Sequence, residues 1–307
     1  MNSRVLYHSV AFLTVIIWGS TFVFTKLLLQ AGLSPAQIFT LRFIIAYVLL
    51  VAYQLLVRRS SHTVSFLSKS WRDELLMVVF GLFGGSVYFL TENAAMLYTT
   101  ATNTSLIVCS CPLFTRLLVA LFYRHSERFS KLQVFGSVLA CVGMAVVVLN
   151  GHFVLHLSPK GDLLAFAACI CWAVYSLLMK SVIERYDAFF ITRKLFFYGL
   201  LTIIPYYFVF PEEASLFTAS SLPTLFSWPI LLNLLFLGVI ASMLCFVVWN
   251  WVIGKLGPVV ATNWVYFNPL TTIVFAWWLL NEPITSWLLL GTILILVGMY
   301  LCERRKS

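Results

Sequence analysis

Ten stretches of mostly apolar residues, parted by short polar segments, follow one another along the whole chain, near 8–29, 36–57, 75–97, 101–122, 131–149, 162–183, 191–210, 229–253, 259–280 and 286–302. Each approaches the roughly 20 residues that a helix needs to cross hydrocarbon, where a spanning segment must satisfy its own backbone hydrogen bonds. The pattern predicts an all-α membrane protein of ten transmembrane helices. Local signals mark several starts: Ser34 before Pro35 suits an N-cap and first helical position, Ser130 with Gln133 forms a capping box, and Asp162 after Pro159 and Gly161 can cap the sixth helix. The first stretch is too long for the apolar core of a cleavable leader and reaches Gln30 without a small-residue cleavage site, so it reads as a retained helix.

Charge sharpens this picture. Only 10% of the 307 residues are charged and 61% are hydrophobic, a balance no soluble domain of this size keeps in solution. Ten spans put both termini on one side. That side collects fifteen basic residues: Arg4, Arg58, Arg59, Lys69, Arg72, Arg124, Arg128, Lys131, Arg185, Arg193, Lys194, Lys255, Arg304, Arg305 and Lys306. The other side holds Lys160 alone, while Lys26, Arg42, Arg116 and Lys180 fall in or near the spans. The asymmetry sets both termini in the cytoplasm. It also explains the net charge of +9 without a nucleic acid, which would need its cations on one solvated face. The seven cysteines all lie in or beside apolar stretches and read as small hydrophobes; the pairs Cys109/Cys111 and Cys169/Cys171 point to nearly opposite helix faces and suit no shared metal.

The chain repeats itself. Trp18 and Lys26 in the first span are eight residues apart, as are Trp172 and Lys180 in the sixth. Glu127, Gly136, Gly143 and Met144 reappear in order as Glu282, Gly291, Gly298 and Met299, and each half carries a proline in its fourth span, Pro112 and Pro269. Five spans is an odd number, so the second half must lie inverted relative to the first, a plan that secondary transporters use to expose one central site to either side. The division is 1–150 for the first five-helix unit, 159–303 for the second, and 304–307 for a basic cytoplasmic tail.

The stretch PKGDLLAFAACICWAVYSLLMKS from Pro159 to Ser181, the Trp-Gly-Ser-Thr run at Trp18 to Thr21, and the two Pro-to-Glu stretches followed by Gly resemble the EamA family of the drug/metabolite transporter superfamily. The resemblance covers nearly the whole chain. The first half departs from the pattern by a longer interval from Pro112 to Glu127 than from Pro269 to Glu282, with Arg116 inside it. What the resemblance implies is a ten-helix carrier of metabolites, often an exporter, in a bacterial inner membrane, with a central cavity lined mainly by helices 1, 3, 4, 6, 8 and 9.

Polar and charged groups in hydrocarbon are costly unless paired or facing water, and so are the first candidates for function. Glu92, in the outer part of the third span, is either a proton or cation site, half of an outer gate, or a static ion pair with Arg42 or Lys26. Arg116 follows Ser105, Cys109 and Pro112 at helical spacing; it either receives a carboxylate or phosphate of the solute or snorkels to the cytoplasmic surface. Trp18 and Trp172 sit near the midplane, away from the interface where Trp usually anchors, and with Tyr88, Tyr175, Trp249, Trp264 and Tyr266 they can offer ring faces to an amphipathic or cationic solute or simply pack. Asn263, Tyr266 and Asn268 precede Pro269, and Thr102, Asn103 and Ser105 precede Pro112; each proline frees a carbonyl one turn earlier and bends its helix. Thr21 completes the set of candidate cavity residues. Lys26 and Lys180 either snorkel or gate, and the glycine pairs Gly84/Gly85, Gly136/Gly143 and Gly291/Gly298 suit close helix packing.

The resulting expectation is a secondary carrier of small metabolites, such as amino acids or amphipathic compounds, working by alternating access. No glycine-rich phosphate loop and no paired-histidine metal helix occur, and His152 and His156 read as solvated loop residues. Neither a cofactor nor a metal is expected, and no enzyme; the partners are a small solute, the bilayer and, for uphill movement, a coupling proton or ion. A membrane-embedded sensor or enzyme, or a passive channel, is the alternative.

Overall fold

The computed structural model describes residues 3–56, 66–122, 131–149, 159–217 and 227–303. The expected Ser130/Gln133 capping box, Glu127, the pair His152/His156 and the basic residues Arg58, Arg59, Arg124, Arg128, Arg304, Arg305 and Lys306 lie outside them. Among the described residues the chain is helical, without a strand. The helices are α1 (Ser3–Gln30), α2 (Pro35–Leu56), α3 (Trp71–Tyr98), α4 (Ala101–Val108), α5 (Cys111–Phe122), α6 (Lys131–Leu149), α7 (Pro159–Val182), α8 (Ala188–Thr202), α9 (Ile204–Val209), α10 (Trp228–Leu256), α11 (Pro258–Asn263), α12 (Asn268–Leu280) and α13 (Ser286–Glu303).

Among the described residues, seven helical segments are long and apolar enough to cross a bilayer: Arg4–Gln30, Pro35–Leu56, Trp71–Tyr98, Ala101–Val119, Pro159–Val182, Ala188–Val209 and Trp228–Leu256. Lys131–Gly143 and Ser286–Gly298 are shorter apolar helices. The stretch from Pro258 to Leu280 is divided between α11, a 3-10 turn at Trp264–Phe267, and α12. Large apolar side chains such as Leu56, Trp71, Phe208 and Trp228 are widely exposed, as a surface bathed in acyl chains requires. The chain is a multi-pass membrane protein.

Side chains fix the helix ends. Ser34 and Gln37 form a reciprocal box, with the Gln37 amide donating to Ser34 Oγ (3.2 Å) and the Ser34 amide to Gln37 Oε1 (2.8 Å). Ser70, Thr100 and Asp187 cap α3, α4 and α8 through Asp73, Asn103 and Phe190 amides. Asp162 does not cap α7: the helix already begins at Pro159, whose fixed φ suits a first helical position, and Asp162 lies within the first turn.

Two kinds of irregularity shape the interior. At Cys109 and Ser110 the helix breaks, because Pro112 has no N–H for the carbonyl of Val108, so Ser105 and Arg116 belong to different helices and the expected continuous stripe is interrupted. Pro269 likewise starts α12 after the 3-10 turn. The second kind carries no proline: α3 loosens into a π-helical turn at Leu82–Ser86, and α10 into a longer one at Phe236–Leu244. Such turns leave carbonyls that point out of the regular ladder and often mark functional sites.

Glycine sets the closest helix contacts. α6 crosses α13 where a Cβ on Gly143 would stand 2.7 Å from the Gly291 carbonyl and one on Gly298 2.5 Å from that of Gly136. α1 meets α12 at Gly19, whose carbonyl accepts from Thr272 Oγ1 at 2.7 Å.

Candidate functional site

Where α1, α2, α3, α7 and the broken segments around Cys111 and Asn268 converge, the interior holds a small cavity of about 30 Å³. That is the space of a single water in the liquid, roughly 30 Å³. Trp18, Thr21 and Phe22 of α1, Arg42 of α2, Tyr88, Phe89 and Glu92 of α3, Trp172 of α7, and Val108, Cys111, Val265 and Asn268 line it. Of the residues singled out in the sequence, Trp18, Thr21, Tyr88, Glu92, Trp172 and Asn268 come together here.

The charged pair in this wall is held open. Arg42 is 2% exposed and Glu92 5%, yet among the described residues no ion pair joins them. Arg42 Nε instead donates to Ser242 Oγ at 2.9 Å, on the π-helical turn of α10, and its guanidinium lies 4.4 Å from the centre of the Phe89 ring. Glu92 Oε1 accepts from the Tyr88 hydroxyl at 2.6 Å. A buried carboxylate and a buried guanidinium facing one gap are expensive to desolvate, and a ligand with both charges would offset that cost.

Aromatic rings enclose the pair. Trp18 stands edge to face against Trp172 with centroids 5.4 Å apart, and touches Trp249 at 5.0 Å. Trp172 packs on Tyr88 at 5.3 Å and on Tyr175 at 5.1 Å. The Trp18 indole N–H donates to the Ala241 carbonyl at 2.9 Å, again on the π-helical turn of α10. Among the described residues, Trp172 Nε1 and Asn268 Oδ1, both buried in the cavity wall, have no hydrogen-bond partner, and neither does Trp249 Nε1 behind it.

The other sequence candidates stand apart. Tyr175 is buried behind Trp172 and donates to Asn250. Asn103 sits at the start of α4, bonding to Thr99. Ser105 donates to the Thr102 carbonyl at 2.9 Å. Tyr266 belongs to a separate apolar cluster with Leu106, Ile273, Leu288 and Ile295. Pro112, Arg116, Asn263 and Pro269 are buried or nearly so but do not line the cavity.

Lys26 is not a partner of Glu92. Its ammonium donates to the carbonyls of Met96 and Thr99 at the end of α3, because a cation there meets the negative end of the helix. Beside it Glu282, just past the left-handed Asn281 (φ 54°), accepts from the amides of Ala101 (3.0 Å) and Thr102 (3.3 Å) and from the Thr102 hydroxyl, which closes the start of α4. At the opposite end of the molecule Asp73 binds Arg185 and Tyr186, and Glu74 binds Lys194 and Tyr198. Burial and the neighbouring Asp73 carboxylate raise the Tyr186 hydroxyl above its ordinary range. Charge counting missed this cluster by assigning Lys194 to the cytoplasmic surface; its apolar neighbours Phe190, Leu195, Phe196 and Phe197 were the signal that it is buried.

A model of the EamA-like transporter family matches residues 5–149 and again 159–303. The chain belongs to the EamA-like transporter family. It is 28% identical to an uncharacterized transporter of Archaeoglobus fulgidus, over all of this chain and 99% of that protein. It is 26% identical to a "probable terminal-alkyne amino-acid exporter" of Streptantibioticus cattleyicolor and 26% identical to a "probable amino-acid metabolite efflux pump" of Salmonella typhimurium, each over 95% of this chain and 92% of the relative. A solved crystal structure shares its fold, with a TM-score of 0.65 at 20% identity over 98% of both chains. The family and its named members are transporters.

Proposed function

We propose that this EamA-family protein is a secondary exporter of small amino-acid-like solutes in the cell inner membrane. Its ten spans form two inverted five-helix halves with both termini in the cytoplasm, and the cavity between the halves opens to either side in turn. The observation that carries this reading is the separated pair: the Arg42 guanidinium and the Glu92 carboxylate line one ring-walled cavity, and among the described residues no ion pair joins them. A zwitterion bridges such a gap, with its carboxylate on Arg42 and its ammonium on Glu92, and its side chain among Trp18, Trp172 and Phe89.

Three further facts support the reading. The cavity has room for about one water, so a solute requires a rearranged protein, as a carrier that changes state would provide. The loops meet in two sets, Tyr98 with Lys160 and Thr102 with Glu282 at one end, and Lys69 and Asp73 with Arg185 and Tyr186 at the other, the alternation that ten spans demand. One relative is named a "probable terminal-alkyne amino-acid exporter" and another a "probable amino-acid metabolite efflux pump".

The test is reconstitution of the purified protein in liposomes with a pool of labelled amino acids and related metabolites. Saturable uptake accelerated by unlabelled solute on the far side is expected. Linear flux without such counterflow would indicate a channel, and no flux for any compound would overturn the proposal.

A further inference from the structure

We infer that Trp18 and Trp172 exchange roles during the transport cycle: in each state one indole N–H is locked onto a carbonyl of the π-helical turn in the opposite half, and the other is left in the cavity for the solute. The inference rests on the carrier reading above and adds to it a pair of positioning residues.

The two tryptophans occupy matching places in the repeat, yet their surroundings differ. The Trp18 indole donates to the Ala241 carbonyl at 2.9 Å, whereas that of Trp172, 4% exposed and lining the same cavity, donates to nothing. An unpaired buried indole N–H costs free energy and calls for an acceptor that the protein groups of the present state do not supply. The repeat names the missing acceptor. Gly81, Phe89 and Asn93 of α3 correspond to Gly238, Phe246 and Asn250 of α10 at one common offset, and in this register the π-helical turn Leu82–Ser86 falls inside the turn Phe236–Leu244. Ala241 then corresponds to Gly84.

The local packing fits this acceptor. Gly84 has no side chain, and a Cβ there would lie 2.5 Å from the Tyr175 ring, so α7 rests directly on this backbone. Trp172 sits one turn before Tyr175 on α7 and touches Tyr88, one turn beyond Gly84 on α3. The Trp172 ring therefore packs on Tyr175, which touches Gly84, and on Tyr88, one turn from that glycine. Two inverted halves reach their second state by exchanging local conformations. In that state Trp172 holds Gly84, Trp18 lets go of Ala241, and the freed Trp18 N–H turns to the solute. In the present state that donor is Trp172, placed beside Arg42 to bind the same carboxylate.

The experiment is hydrogen exchange on the full-length protein in lipid nanodiscs without solute, read at the Ala101 and Thr102 amides that Glu282 covers in the present state. Trp18→Phe removes a bond made now and should speed that exchange about fivefold, the effect of one typical net hydrogen bond. Trp172→Phe removes a bond made only in the other state and should slow it about fivefold. An isosteric ring with sulfur in place of the indole N–H, introduced at each position, should repeat both signs while keeping the packing. Faster exchange in both variants, as expected of rings that only pack, or no change in either, would overturn the inference. Because the readout uses no solute, its failure is distinct from a failure of the liposome assay, which tests the carrier reading.

Discussion

Replacing Glu282 tests whether its carboxylate seals one face of the protein. The side chain is half-buried and makes three contacts at the first turn of α4, two with backbone amides and one with the Thr102 hydroxyl. Hydrogen bonds to a charged group contribute about 1.5–3 kcal/mol when fully desolvated. Water can replace much of this at a half-buried site, so Glu282→Ala should cost about 2 kcal/mol, or roughly a thirtyfold rise in local opening. Glu282→Gln keeps an acceptor and loses only the charge at the positive end of α4, a term of about 0.3–1 kcal/mol, and should raise opening about two- to fivefold. Hydrogen exchange at the Ala101 and Thr102 amides in nanodiscs reads both numbers directly. Protection that stays within about twofold of wild type in Glu282→Ala, or a Gln variant as damaged as the Ala variant, would refute the account of this contact.

At the other end, Glu74→Gln and Lys194→Met should each lower stability by about 3 kcal/mol by stranding a buried charge, while the double substitution recovers most of the loss; thermal unfolding in detergent would expose the reasoning as wrong if the effects simply add. Gly298→Val forces a side chain against the Gly136 carbonyl and should cost about 2–3 kcal/mol by overpacking the contact of α6 with α13. Gly254→Ala meets only the flexible Ile183 side chain at 3.2 Å, and an unfolding temperature as low as that of Gly298→Val would contradict the steric argument. Ser34→Ala removes half of a capping box and should cost about 1 kcal/mol, read in the same unfolding assay.

Much of the fold was legible because hydrocarbon demands long apolar helices, and the described helices run close to the expected stretches. The breaks before Pro112 and Pro269 were equally readable, since a missing N–H acts locally. The π-helical turns were not. Neither contains a proline, and no local pattern in the sequence records them. For the same reason the site was only partly visible. Trp18 and Trp172 stand out as aromatic residues near the midplane and Glu92 as a charge in the outer part of its span, but that Arg42 turns away to Ser242 rather than pairing with Glu92 depends on where a residue 200 positions away is placed. Lys26 reads as a snorkelling or gating charge or a partner of Glu92, and Glu282 only as the repeat of Glu127. Their partners are backbone groups at helix ends, which carry no side-chain signature.

The central claim is that Arg42 and Glu92 hold the two ends of one zwitterion. The measurement that tests it most directly is counterflow in liposomes of a carried amino acid against its methyl ester, which lacks the carboxylate, and its N-acetyl derivative, which lacks the ammonium. The account predicts that wild type exchanges the free amino acid and neither derivative, and that Arg42→Met and Glu92→Gln each abolish that exchange. Equal exchange of all three compounds, or wild-type exchange in both variants, would contradict it.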